Sequence, residues 1–311
     1  MTRVVFATCA ASGDDGRKAL LLAGSVRTFA AGLRSGAIWV LQPDRAQRFA
    51  DALENRFAAL GVETVPFAAD EEVSGIPGAA RAAAAAAAEK RAARQADLLV
   101  WMDPDSLVVG AADALLLPEG RSIGLSPVHL GLIGSPWERP ATPFWSLLYR
   151  KLRVKRDAVF PVTTIVDRRR VRAYFDAGLV VARPAEGALR RWHRRLVRLA
   201  GDAAVKAFFI EDASFHAFFH QAVLAASVLA SVPRDSVLEL PAPLNYPLHL
   251  LERIPAERRP WSLNDLVTCR YDDLATLGRR DWPAEMRLDE PLRGWLDDMV
   301  PRQDKDFVAE L

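Results

Sequence analysis

The stretch LLVWMDPDSLVV, residues 98–109, decides how the chain folds. Its first five residues, Leu98 to Met102, are all apolar, as in a short strand buried on both faces of a sheet. Where the apolar run stops, two carboxylates follow, Asp103 and Asp105, with Pro104 between them stiffening the turn. Side chains two apart in an extended segment point to the same side. The pair can therefore converge on one hard cation, Mn²⁺ or Mg²⁺, which prefers carboxylate oxygen. Such an ion would act as a Lewis acid on a diphosphate leaving group. The competing reading is a plain turn, with Asp105 and Ser106 capping a following helix.

Upstream, strand and helix patterns alternate. RVVFAT at 3–8 is a short buried strand, 17–33 is helical, and AIWVLQP closes a second strand at Pro43. Phe49, Leu53 and Phe57, four apart, mark a helix over 44–60. A strand at 62–66, the turn GIPG at 75–78 and an alanine helix over 79–96 lead into 98–102. Strands joined by helices of this length predict an α/β fold: a Rossmann-like, mostly parallel sheet with helices on both faces. Ligands bind such sheets at the carboxyl ends of the strands, where Asp103 stands.

Downstream the pattern loosens. Residues 127–145 read as a proline-rich loop over the sheet, followed by a helix. An extended stretch at 162–166, the strand-like YFDAGLVVARP at 174–184, helices at 185–200 and 211–230, and strands at VLEL (237–240) and VTCRY complete the chain. No repeat, linker or compositional shift marks a boundary. We expect one domain over 1–311, with 1–110 the nucleotide-binding half and 111–311 the sugar and acceptor half.

Composition bounds the partners. Basic residues number 41 and acidic ones 39, so no net field attracts nucleic acid or anionic lipid. Cys9 and Cys269 show no disulfide framework. The N-terminal apolar run is too short for a signal peptide, and the alanine segment 78–88 is too short to span a bilayer. The expectation is a cytoplasmic protein without a transmembrane segment. LRRWHRRLVRL at 189–199 carries Leu189, Trp192, Leu196 and Leu199 on one stripe, with five arginines elsewhere. It reads as a helix packed on the core, or as a peripheral contact with an anionic membrane.

Four segments together resemble the GT-A glycosyltransferases, in particular the glycogenin and lipopolysaccharide-galactosyltransferase group, family eight. VVFAT looks like the first strand and LLVWMDPDSLVV like the strand with its DxD motif. YFDAGLVVARP is similar to Tyr-Phe-Asn-Ala-Gly before a strand, with Asp176 replacing asparagine. HQAVLAASVL at 220–229 resembles a helix that opens with Asp-Gln, here His220-Gln221, and LPAPLNYP resembles Leu-Pro followed by Asn-Tyr. The resemblance covers about residues 3–250. It implies the GT-A fold, a nucleotide-diphosphate sugar donor (a UDP-sugar above all), an unknown acceptor, and retention of anomeric configuration. It also implies a divalent cation on Asp103 and Asp105, and nucleotide contacts at Thr8, Cys9 and Pro104. The donor sugar would lie at Asp176, Ala177 and Gly178, with chemistry at Asp176 and Gln221. Two departures stand out: Cys9 replaces a base-binding aspartate, and Arg270 in CRYDDLATLGRRDW replaces the histidine that completes the metal site. The family's Lys-Pro-Trp has Arg279 to Trp282 in its place. An arginine cannot ligate a metal, but it can pair with phosphate directly.

Other candidates carry competing readings. Asp212, beside Glu211, is either an acceptor-activating base or a helix-start carboxylate. Lys90 is a candidate diphosphate contact, whereas Arg81, Arg91 and Arg94 read as a solvated face. His216 and His220 have metal-ligand spacing but read as half-buried helix residues. Trp137 and Trp145 either stack on a sugar or anchor their loop. The leading function is metal-assisted sugar transfer. The alternatives are a binding or regulatory protein that has lost turnover, and a nucleotidyltransferase.

Overall fold

The computed structural model describes residues 2–279 and 286–300. The first half runs β1 (Val4–Cys9), α1 (Gly13–Phe29), β2 (Ala37–Pro43), α2 (Asp51–Ala59), β3 (Val62–Phe67), α3 (Ala79–Ala92), β4 (Leu98–Met102) and β5 (Ser106–Val108). There follow β6 (Ile123–Pro127), α4 (Pro143–Leu152), β7 (Pro161–Thr163), β8 (Arg170–Arg172), β9 (Phe175–Ala182), α5 (Ala188–Ala200), α6 (Ala203–Glu211) and α7 (Ala213–Ser231). The remainder holds β10 (Val237–Glu239), β11 (Tyr246–Pro247), β12 (Thr268–Arg270), α8 (Leu274–Arg279) and α9 (Leu292–Met299).

Seven strands form the central sheet in the order β10-β6-β9-β4-β1-β2-β3. Parallel pairing joins β4 to β1, β1 to β2, β2 to β3, and β10 to β6. Strand β9 lies antiparallel between β4 and β6. The alternation along β1 explains the layers. Val5, Ala7 and Cys9 join the core under α3, α4, α5 and α7, while Val4 and Phe6 face α1 on the other side. Both faces being covered, β4 is apolar throughout and β1 is apolar but for the buried Thr8. Alanines 82, 84, 85, 88 and 92 are buried, and so small a helix face lets α3 lie close on both the sheet and α5.

The α5 stripe settles its own two readings. Leu189, Trp192, Leu196 and Leu199 are all buried in the core, so this apolar face is not available to a membrane. Four of its five arginines bind protein: Arg190 meets Glu89, Arg191 and Arg195 reach Ser231, and Arg198 reaches the Lys151 carbonyl. Helix α7 has the length and hydropathy of a membrane span, yet its second half is core. The helix expected over 44–60 starts only at Asp51, though Phe49 still stacks on Phe57. Helices α6, α8 and α9 and strands β5, β6, β8 and β11 have no counterpart in the sequence pattern.

A small second sheet, β11-β12-β5, positions the site. Residue 106 begins a strand and not a helix, because β12 pairs antiparallel with β5 and sets Arg270 opposite Ser106. The Tyr271 N–H donates to the Asp105 carbonyl at 3.0 Å. On the other side of the turn, the Asp103 N–H donates to the Gly178 carbonyl at 2.8 Å, prolonging the β4–β9 pairing. Arg270, Asp103, Asp105 and Asp176 are thereby drawn to one end of the main sheet.

Glu89 shows how α3 holds α5. It is fully buried and accepts from the Leu189 and Arg190 backbone N–H groups at 3.0 and 2.9 Å, and from Arg190 Nε at 3.1 Å. It thus caps a helix that begins at Gly187 without a side-chain cap of its own. Glu89→Ala should lower the unfolding free energy by about 3 kcal/mol, because it strands buried donors and a cation. Glu89→Gln, which keeps one acceptor oxygen, should cost less. Urea unfolding of the two variants checks the order.

Candidate functional site

Beyond the carboxyl end of β4 lies a cavity of about 310 Å³, lined by Arg81, Asp103, His129, Tyr174, Asp176, His220, Gln221, His249 and Arg270, among others. At its floor is an ionic cluster. Arg270 Nη2 donates to Asp105 Oδ2 at 2.7 Å and Oδ1 at 3.0 Å, and Nε lies 3.3 Å from Oδ1. The same Nη2 is 3.1 Å from Asp103 Oδ2, and Nη1 is 3.5 Å from Asp176 Oδ1. Arg81 Nη1 donates to Asp103 Oδ2 at 3.0 Å. Asp103 and Asp105 are only 4% and 5% exposed, so the pair is buried and not open to solvent.

Gly178 explains how the guanidinium fits. A Cβ there would come within 2.7 Å of both Arg270 Nη1 and Asp176 Oδ1. Where the resemblance implies a donor sugar beside Gly178, the group packed against this glycine is the Arg270 guanidinium. The Gly178 N–H also donates to Asp176 Oδ1 at 2.7 Å.

Asp176 is the hub of a second network. Oδ1 accepts from Asn245 Nδ2 at 3.2 Å, and Oδ2 accepts from Gln221 Nε2 at 3.1 Å. Gln221 Oε1 accepts from the Tyr174 hydroxyl at 3.3 Å. His129 Nε2 lies 2.9 Å from the Asn245 carbonyl and donates to it, leaving Nδ1 with the lone pair. Asn245 itself holds φ at 58°, a left-handed conformation that asparagine tolerates well.

Burial and charge set the protonation states. Burial alone would raise Asp176, but His129, Arg270, the Gly178 N–H and the Asn245 amide hold it down at about 2. Burial raises Asp103 against the pull of Arg81 and Arg270. Burial would lower Arg270, yet Asp105, Asp103 and Asp176 outweigh it and raise it, so it stays charged. Burial pushes His129 and His220 down to about 4, so both are neutral near pH 7.

A divalent cation does not fit this arrangement. Both Asp105 oxygens and Asp103 Oδ2 already meet guanidinium N–H groups. Asp103 Oδ1 is left as a single buried acceptor without a partner. Arg270 brings no lone pair, and an ion would sit beside two fixed positive charges. Among the described residues, no group of three or more His, Cys, Asp or Glu side chains could hold a metal.

The other expected residues divide. Cys9 and Pro104 line a neighbouring hollow with Ala11, Asp15, Gly75 to Gly78 and Arg81. The Cys9 thiol, pushed up to about 12 by burial, is not a nucleophile. Thr8 is buried within β1, and Ala177 packs into the core on the face of β9 opposite Asp176. Lys90 is exposed at the far end of α3, nine residues beyond Arg81, so it does not reach the cluster. Asp212 is exposed and caps α7, accepting from the Ser214 N–H at 2.7 Å. Both are corrections. Arg81 is a third: the side chain assigned to a solvated face is the one that enters the site. His216 stacks on Phe209 and His220 packs on Gly78, so they share no ligand. Trp145 is buried and donates to the Ile133 carbonyl at 2.7 Å, anchoring its loop, and Trp137 lies against Arg170 and Arg172. Arg280, Asp281 and Trp282 lie outside the described residues, as does the Arg279 side chain. His129, His249 and Arg81 gave no sequence signal, whereas Asn245 lay inside the LNYP match.

Neutral, buried His129 and His220 make stability depend on pH. A histidine whose folded pKa is lowered contributes stability that is present above its unfolded value and lost as pH falls toward the folded one. From pH 7 to pH 5, each should therefore cost about 2 kcal/mol. Asp103 and Glu89, both raised by burial, act in the opposite sense. The measurement is a difference: His220→Leu should flatten the pH 5–7 slope of urea-unfolding stability by about 2 kcal/mol relative to wild type.

Comparison with known proteins gives the family and the fold. The family model of the Rhodobacterales glycosyltransferase domain matches residues 6–228. Among solved structures, the chain is similar to the galactosyltransferase LgtC in complex with donor and acceptor sugar analogs, with 16% identity over 96% of this chain and 95% of that one and a TM-score of 0.50. It is also similar to WbbM, a bifunctional glycosyltransferase, with 14% identity over 88% of this chain and 46% of that one and a TM-score of 0.51. At such identities the likeness is one of fold. No curated protein matches the chain. The fold is the GT-A type, and the chain belongs to the Rhodobacterales glycosyltransferase domain family.

Proposed function

We propose that the chain moves a sugar from a nucleoside-diphosphate sugar, a UDP-sugar above all, to an acceptor hydroxyl. The observation that carries this reading is Arg81, which forms a wall of both the Cys9–Pro104 hollow and the Asp176 cavity. Its side chain is 44% exposed and spends one nitrogen on Asp103, so it still presents N–H groups where the two spaces meet. A donor has a matching shape: the nucleoside fills the first hollow, the sugar fills the second, and the diphosphate crosses the arginine between them. Charge-assisted N–H contacts to phosphate are among the strong ones.

In the transfer, the bond from the anomeric carbon to the diphosphate oxygen breaks and its electron pair stays on that oxygen. An acceptor oxygen bonds the anomeric carbon, and its proton passes to the released diphosphate. Asp176, held ionised and fixed by Gly178, Asn245 and Gln221, is placed to orient donor-sugar hydroxyls and to stabilise positive charge at the ring. Gln221 locks that carboxylate from the other side. Neutral His129 and His220 shape the wall without adding charge.

A second reading, a nucleotide-sugar-binding protein without turnover, draws on Arg270, whose guanidinium is already held by three carboxylates. Release of nucleoside diphosphate from a panel of nucleotide sugars, with and without simple glycoside acceptors, separates the two. Transfer predicts release, and binding alone predicts a thermal shift with none. Failure of every nucleotide sugar to bind would remove both. If transfer is found, Asp176→Asn should lower kcat by about a hundredfold with the fold retained, because it weakens a preorganised charge. Asp212→Ala and Lys90→Ala should leave kcat unchanged.

A further inference from the structure

The DxD carboxylates of this chain present a puzzle of charge. Asp103, Asp105 and Asp176 meet around one point, and the group at that point is a guanidinium. A diphosphate brought to three bare carboxylates would be repelled. The two guanidiniums of Arg270 and Arg81 carry the same charge as one divalent ion, so the cluster keeps one formal negative charge either way. The geometry is also analogous. An ion bridging carboxylates to phosphates needs open positions on its outer side, and the arginines have them. Arg270 spends Nε and Nη2 on Asp105 and Asp103, while Nη1, against Gly178, makes only the 3.5 Å approach to Asp176. Arg270 lines the cavity with a side chain that is 12% exposed.

We infer that Arg270 and Arg81 together replace the divalent cation, so that this chain binds the diphosphate of its donor without metal, through Arg270 Nη1 and the unspent N–H groups of Arg81. The inference rests on the donor reading above. It goes beyond that reading by assigning the counter-charge of the leaving group to two side chains. Three features support it independently. Arg270 cannot give up its proton and become a metal ligand. Gly178 leaves the guanidinium room in which any larger residue would collide with it. Arg81 is fixed in register by the close contact of Gly78 with His220 at the start of α3, where a Cβ would stand 2.5 Å from the imidazole.

The decisive measurement uses the wild-type chain. Nucleoside diphosphates (UDP, GDP, ADP, CDP and dTDP) are titrated by calorimetry in EDTA and again in Mn²⁺, with bound Mn²⁺ followed by electron paramagnetic resonance. The expected result is equal affinity for the preferred nucleotide in both buffers, with all Mn²⁺ free of the protein. Arg270→Lys keeps a charge but loses the fork, and Arg81→Gln loses the second charge. Each should weaken that affinity about tenfold or more in EDTA, the size of one charge-assisted bond, with no rescue by Mn²⁺. Circular dichroism confirms folding of both variants, and if either fails to fold the wild-type comparison still decides. Binding seen only with Mn²⁺, or a protein-bound Mn²⁺ signal in the nucleotide complex, overturns the inference and leaves the donor reading standing. Binding of no nucleoside diphosphate in either buffer overturns both.

Discussion

The guanidinium of Arg270, clasped by Asp103 and Asp105 and resting on Gly178, is the constraint around which the rest of the site is arranged. Taking two or three carboxylates out of water is expensive, and mutual attraction offsets that cost only when geometry is good and the remaining lone pairs are satisfied. Here the geometry is enforced from three directions. The β5–β12 pairing delivers Arg270, the end of β4 delivers the aspartates, and β9 delivers Asp176 and the glycine that makes room. A cluster of this kind is weak evidence for stability, since well-packed apolar side chains would serve the fold as well. Its position at the carboxyl end of the sheet, lining a cavity, is where a sheet of this class binds its ligands.

What the sequence disclosed follows from what each signal depends on. Strands β2 and β4 fell on the residues expected, 37–43 and 98–102, because both their faces are buried and the apolar run is the strand. The insertion of β9 antiparallel between β4 and β6 leaves no such mark, because strand order is set by pairing across the chain. The same distinction holds at the site. Asp103 and Asp105 could be found from their place after a buried strand. Asp176 and Gln221, 45 residues apart, carry no shared local pattern and emerged only through resemblance to a family.

Arg81 shows the limit most clearly. By residue type it belongs with Arg91 and Arg94 among the solvated charges of an alanine-rich segment, and for Arg91, which meets Glu63, that is where it lies. What separates the two is depth along the helix. Arg81 sits in the first turn, beside the end of β4, and Asp103, 22 residues further on, is within reach. Lys90, two turns and a half along and on the opposite face of the helix, carries the same charge and serves nothing at the site. Periodicity reports the face of a helix but not which end meets the ligand, and that end is fixed by the strand that follows.

Glycine made the cluster possible in a way that composition alone does not reveal. At Gly178 the missing side chain admits a guanidinium, and at Gly78 it admits the His220 ring, with the backbone at φ 79° that glycine adopts without strain. The consequence concerns how charge is supplied. A metal is recruited after folding, at a rate and occupancy set by its concentration, whereas an arginine arrives with the chain and stays charged at any physiological pH. On the proposed donor reading, placing it there couples formation of the surface that meets the diphosphate to the same β5–β12 and β4–β9 pairings that build the sheets. The cluster is then complete when folding is complete, and two of its three carboxylate charges are offset before any ligand arrives.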